Sequence, residues 1–207
     1  MRAEIFELGV VEMEKTENGV QKKDKREVIL QATLELLATN GFQHTPMSLI
    51  VKHSGASAGI IYHYFTSKDE LIRALYRRVK TEFSRAILSS DVQRLPLGER
   101  FLQLWIAAFH FYTTHPYETA FLEQYESVPD KSTGENEDIS EGEVILFQLI
   151  KEYQSHQLLK DLPYSALYEL TLGVAIRLAR QAASGQFSGD DATLRGIAQA
   201  CWDAIAR

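Results

Sequence analysis

Six histidines, at positions 44, 53, 63, 110, 115 and 156, are the first residues of this chain to test for chemistry. No two of them stand at the helical spacing, with a carboxylate partner, that a zinc site requires. There is no glycine-rich phosphate loop and no serine elbow. Glu123 and Glu126 fall on one helical face, but neighbouring carboxylates on a surface helix are usually only solvated. Cys201 is the single cysteine, which excludes an internal disulfide framework and any multi-cysteine metal site, so it reads as a packing residue. These observations give no catalytic residue, no metal and no cofactor, and leave a helical enzyme as a rival class only.

Charge points elsewhere. The chain carries a formal net charge of −6, but it is spread unevenly. Residues 1–21 sum to −3 and residues 81–207 to −8, whereas residues 22–80 hold ten basic and five acidic side chains, a net +5. One basic segment in an acidic protein fits a small DNA-reading head on a larger body, because nucleic acid needs local positive surface rather than a basic chain. Solvated lysines would give the same sum.

The elements that position these groups are helices. After Gln21 the apolar residues recur at three and four rather than alternating at two, and no convincing strand is visible. A first helix is expected over about 23–39, burying Val28, Ile29, Ala32, Leu36 and Leu37 and stopped by Asn40-Gly41. Thr45-Pro46 opens a short second helix, threonine capping and proline taking the first helical position. It ends near Ser54-Gly55. Ser57 caps a third helix over 58–65, and Ser67-Lys68-Asp69-Glu70 reads as a capping box opening a fourth. That helix runs to about Leu88 on Leu71, Ile72, Leu75, Val79, Phe83 and Ile87. Five more are expected, over about 97–114, 116–127, 140–156, 164–184 and 190–206, punctuated by Pro96, Pro116, Pro129, Pro163 and Gly189. Residues 1–21 read as a disordered extension, and 129–140 as a polar, mobile surface loop. With no signal peptide and no apolar run of membrane-spanning length, the expectation is a cytoplasmic protein that does not meet a membrane.

The run from Gly41 to Leu71, GFQHTPMSLIVKHSGASAGIIYHYFTSKDEL, sets two short helices across a glycine-containing turn. Met47, Ile50, Val51, Ile61 and Phe65 form the small core that fixes their crossing. On Gly41-Phe42, Thr45, Ile50, Gly55, Ser57, Gly59, Tyr62, Phe65, Ser67-Lys68 and Leu71, the run resembles the DNA-binding module of the tetracycline-repressor (TetR) family of bacterial regulators. The motif covers about a quarter of the chain, and the helical remainder has the family's length and order. The resemblance implies an all-α fold: a three-helix, helix-turn-helix DNA-binding domain at 22–68, and a helical-bundle domain at 69–207 that binds an effector and dimerises. It implies a homodimeric repressor that holds two-fold related half-sites of double-stranded operator DNA until a small molecule binds.

Carried over residue by residue, Thr45 resembles the threonine at the start of the second helix that contacts phosphate. Lys68 resembles the phosphate-contacting lysine of the fourth helix, and Tyr62, His63 and Tyr64 the aromatic cluster along the backbone. A hydroxyl, an imidazole N–H or an ammonium donates to a phosphate oxygen without reading sequence. Gly59 would let the helix start approach the duplex closely. Lys22 and Lys23, with Lys25 and Arg26, either add charge against a neighbouring backbone or are a solvated basic end. The chain departs from the family pattern at Ala58 and Ile60, which should face base edges and cannot hydrogen-bond them. Base readout then falls to contact with thymine methyls, to residues such as Ser57, or to DNA shape. An architectural DNA-binding protein would lack the long C-terminal body.

In that body Phe101, Trp105, Phe109 and Tyr112 share one helix face, and Phe121 and Tyr125 follow. With Tyr168 and Arg177 they are the candidate lining of an effector pocket, although an aromatic stripe is more often plain core. The last two long helices carry more apolar surface than one body needs, in residues such as Leu170, Val174, Ile197 and Ala200. They are the candidate dimer interface, with burial inside the monomer as the other reading.

Overall fold

A computed structural model describes residues 25–88, 92, 94–126 and 150–207. Expectations for the extension at 1–21, for Lys22 and Lys23, for the polar loop and for the start of the 140–156 helix lie outside the described residues. The chain divides into two compact units between Leu75 and Tyr76. Among the described residues the regular elements are helices, with one isolated bridge between Leu159 and Ala206.

In the first unit, α1 spans 25–40 and buries Ile29, Leu30, Ala32, Leu34, Leu36 and Leu37. Val28, expected inside, is 48% exposed. Leu30, Leu34 and Leu37 recur at four and three, and this stripe turns position 28 outward. Gly41 follows with φ 81°, and its N–H donates to the Leu37 carbonyl at 2.9 Å. That is the left-handed stop the sequence called for. Helix α2 (Met47–Ser54) ends at Gly55 with φ 67°, and α3 (Ala58–Tyr64) is capped by Ser57, whose hydroxyl accepts from the Ile60 N–H at 3.3 Å.

Two expected caps take a different form. Pro46, not Thr45, is the residue before the first turn of α2, and its carbonyl accepts from Leu49 and Ile50. The Thr45 side chain turns back and donates to the Gly41 carbonyl at 2.8 Å. In α4 (Lys68–Ile87) the Ser67 hydroxyl accepts from the Glu70 N–H at 3.1 Å, as a capping box requires. The returning Glu70 carboxylate overshoots by one residue and accepts from the Thr66 N–H and hydroxyl, at 2.5 and 2.6 Å. Leu71, Ile72, Leu75, Val79, Phe83 and Ile87 are all buried along α4.

The second unit contains α5 (Leu97–Thr114), α6 (Pro116–Glu126), the described end of α7 (150–155) and α8 (Tyr164–Tyr168). A π-helical turn, Glu169–Gly173, then joins α8 to α9 (Val174–Ala183), and α10 (Asp191–Ile205) completes the chain's helices. The 164–184 helix of the sequence reading is therefore three segments, for which the pattern gave no signal. Asp190 caps α10 by accepting from the Thr193 N–H and hydroxyl, and these bonds hold its carboxyl below the usual carboxylate range. At the other end Lys160 Nζ donates to the Asp203 and Ala204 carbonyls, both at 2.9 Å, placing a cation where the helix carbonyls converge.

Candidate nucleic-acid interface and effector cavity

The interface is built by a division of labour along α2 and α3. Ile50, Ile61 and Phe65 are buried, while Met47 and Val51 are half-buried. This fixes one face of the hairpin inward and leaves the other to solvent. On the outer face Ser57, Ala58, Gly59 and His63 are exposed, Ile60 and Tyr64 are half-buried, and Tyr62 is 52% exposed. The His63 and Tyr64 rings meet edge to face at 5.4 Å. A Cβ added to Gly59 would meet no atom within 4 Å, so internal packing does not demand glycine there.

Two predicted phosphate contacts are placed differently from the rest. Thr45 is fully buried, and its hydroxyl donates inward to the Leu36 and Gly41 carbonyls. Its role is to tie the loop before α2 to the end of α1, because a buried hydroxyl needs partners and finds carbonyls left over at a helix end. Lys68 donates from Nζ to the Phe42 carbonyl at 2.7 Å. One of its three donors thus locks α4 to the loop entering α2, and two remain. Gln43, His44, Ser48 and Lys52, which lie within the motif run but were given no contact from sequence, are exposed as well. Lys25 is exposed, and the Arg26 guanidinium lies 5.4 Å over the Phe65 ring. His53 in α2 pairs with Glu35 of α1 at 3.0 Å, and that bond, with a second from Gln31, holds the Glu35 carboxyl below its ordinary range.

The second unit contains a partly open, apolar cavity of about 120 Å³. Of the eight side chains expected to line a pocket, Phe101, Trp105 and Tyr168 border it. Sequence missed Tyr153, Tyr164, Leu172 and Trp202 among the others, because these four come from α7, α8, the π turn and α10. The remaining candidates are used elsewhere. Phe109 stacks on Trp105 and meets Phe187, while Tyr112 packs on Phe83 and Phe111. Phe121 and Tyr125 adjoin one another, and Tyr125 stacks on Tyr76 at 4.3 Å. Arg177 is exposed and opens on a separate polar cleft with Glu123, Glu169 and Arg180, where Arg180 and Glu123 form an ion pair.

The π turn forms part of the cavity wall. Thr171 and Leu172 line the cavity, and the Trp105 indole N–H donates to the Thr171 carbonyl at 3.0 Å. The Thr171 hydroxyl in turn donates to the Leu167 carbonyl at 2.6 Å. On α7, Tyr153 donates to the Leu97 carbonyl at 2.7 Å, and burial pushes its phenol up to about 12. Among the described residues no group of acidic, histidine or cysteine side chains could hold a metal ion, and no helix is long and apolar enough to cross a membrane.

Two short helices crossing at a glycine turn, with an exposed aromatic face on the second and an all-helical companion unit, define a helix-turn-helix DNA-binding regulator. Residues 29–75 match the family model for bacterial regulatory proteins of the tetR family, and residues 96–206 match a tetracyclin repressor-like C-terminal domain. An uncharacterised HTH-type transcriptional regulator of Haemophilus influenzae is 30% identical over 187 residues, which cover 90% of this chain and 98% of the relative. A crystal structure of a TetR-family regulator from Haemophilus influenzae superposes with a TM-score of 0.72 at 27% identity, covering 90% of this chain and 99% of that one. One from Vibrio parahaemolyticus gives 0.74 at 27%, covering 88% and 99%. The chain belongs to the TetR family of transcriptional regulators, and these relatives are described as regulators, not as enzymes.

Proposed function

We propose that this regulator is a repressor that docks on operator DNA through the outer face of α3 and is released when a small molecule fills the apolar cavity of its C-terminal unit. The reading keeps 22–68 as the DNA-binding domain and 69–207 as the effector-binding and dimerising domain. The observation that carries it is the outer face of α3: Tyr62, a large aromatic with a hydroxyl, stands half in solvent beside Ala58, Gly59 and His63 while the inner face is fully packed. An aromatic held out of a well-filled core is available to a phosphate backbone. Tyr62, His63, Tyr64 and Lys68 then position the duplex, with Lys22 and Lys23 adding charge. Ser57, Ala58 and Ile60 face base edges. Thr45 acts through the loop it ties down.

Dimerisation through α9 and α10 fits their split faces. Ala175, Ala179, Leu194, Ala198 and Cys201 are buried within one chain, whereas Ala183, Ala192 and Ala200 are exposed, as is Leu170 on the π turn before α9, at 39%. A two-fold pair must present its recognition helices to successive major grooves, about 34–36 Å apart, so an effector acts by favouring one head spacing over another.

Selection of bound fragments from genomic DNA, with affinities measured at several salt concentrations, tests the docking face. Tyr62→Ala is expected to weaken all selected DNA about ten-fold while leaving thermal stability within about 0.5 kcal/mol, as for an exposed substitution. Unchanged affinity in that variant would remove α3 from the interface.

A further inference from the structure

We infer that the effector is an electrically neutral, apolar molecule of about the bulk of one ring or a medium alkyl chain, bound against both tryptophans of the chain. This deepens the reading of the cavity as the effector site and rests on it. Among the described residues no aspartate, glutamate, lysine, arginine or histidine lines the cavity. Three polar groups of its wall are engaged within the protein. The Trp105 N–H is given to the Thr171 carbonyl, the Thr171 hydroxyl to the Leu167 carbonyl and the Tyr153 hydroxyl to the Leu97 carbonyl. Arg100, the cation next to Tyr153 in influence, is paired with Glu152 at 2.8 Å and does not border the space.

A charged group entering such a site surrenders its water and finds no counter-charge, a penalty of several kcal/mol. An apolar group loses nothing and removes its own surface from water. The wall itself reports this preference, since burial resists ionisation of the Tyr153 phenol. Size follows from the volume: about 120 Å³ is comparable to engineered dry cavities of about 150 Å³ that admit benzene. Leu172, half-buried on the π turn, borders the space and can be enlarged to fill it.

Trp105 and Trp202, the chain's two tryptophans, both line the cavity, so intrinsic fluorescence excited at the red edge of indole absorption reads occupancy without a label. The full-length protein is titrated with two sets of probes matched in shape and differing in charge: toluene, benzoate and benzylammonium, and 1-octanol with octanoate. Toluene and octanol are expected to change the tryptophan emission saturably, and each charged counterpart to bind at least ten-fold more weakly. Leu172→Phe, checked for folding by circular dichroism, should abolish the change. If that variant does not fold, the charge series in the unaltered protein still decides. Equal or tighter binding of a charged member, or no saturable change with either neutral probe up to its solubility, overturns the inference. Operator affinity is measured in the same samples. Saturable neutral binding that leaves operator affinity unchanged would keep the ligand chemistry and remove the effector role.

Discussion

The two units of this chain spend their aromatic residues in opposite ways. In the first, the largest fully buried side chains are aliphatic, Ile29, Leu30, Leu34, Leu37, Ile50, Ile61, Leu71 and Leu75, with Phe65 the buried ring at the helix crossing, while Tyr62 stands outside. In the second, Trp105, Phe109, Phe111, Tyr112 and Phe121 are buried, and a cavity remains between rings and leucines. Small branched side chains interdigitate closely, whereas flat, rigid rings leave gaps between their edges. The head consequently packs aliphatic side chains closely and holds the Tyr62 ring at its surface. The C-terminal unit is hollow, with rings lining the hollow.

That contrast breaks most visibly under truncation. Phe65→Ala should destabilise the head by about 3–5 kcal/mol, because the ring sits in a filled core. Phe101→Ala, beside an existing space and only half-buried, should cost markedly less. Unfolding of both variants in denaturant, followed by circular dichroism, makes the comparison, and equal losses would refute it. Next in size, Trp105→Phe removes the indole donor from the Thr171 carbonyl, which keeps the Val174 N–H, and about 0.5–1.5 kcal/mol should be lost from the C-terminal unit on the same measurement.

Gly59 sharpens the outward-facing half of the contrast. With open space where its Cβ would be, Gly59→Ala should raise stability by up to about 1 kcal/mol and yet weaken DNA binding about ten-fold, as read by calorimetry and by fluorescence anisotropy with a labelled operator. Improved binding would show that the glycine provides no clearance for a duplex. The smallest effect is electrostatic. The Glu35 carboxyl, bonded by His53 and Gln31, lies below the ordinary 4.5 of a glutamate. Its contribution is present above that value and is lost as pH falls through the lowered one. The pair is more than one-third exposed, so the loss should be only a few tenths of a kcal/mol, seen as a difference between the protein and Glu35→Gln in melting temperature below about pH 4.5.

Helix existence and most helix ends were legible in the sequence because prolines and glycines punctuate the chain where backbone geometry demands them. The filled head was legible too, apart from the rotation of α1 that exposes Val28 and buries Leu30 and Leu34. Side-chain direction was harder. Thr45 reads as an outward cap, but the carbonyls at the end of α1 offer its hydroxyl closer partners than a helix start does. The cavity was half visible. Periodicity states which residues of α5 share a face, and so offered Phe101, Trp105, Phe109 and Tyr112 together. It does not state that α7, α8 and α10 meet only the first two around a void. Tyr153 and Trp202 therefore had no signal before the fold was known.

The π turn at Glu169–Gly173 has one further consequence, and it concerns insertion and deletion. A helix that gains a residue normally rotates everything beyond the insertion by about 100°, one residue's share of a turn of 3.6. A π turn absorbs the extra residue locally and lets the helix on either side keep its face. Residues 169–173 are accordingly a place in this chain where length can change by one residue while Leu167 before it and Ala175 beyond it remain buried.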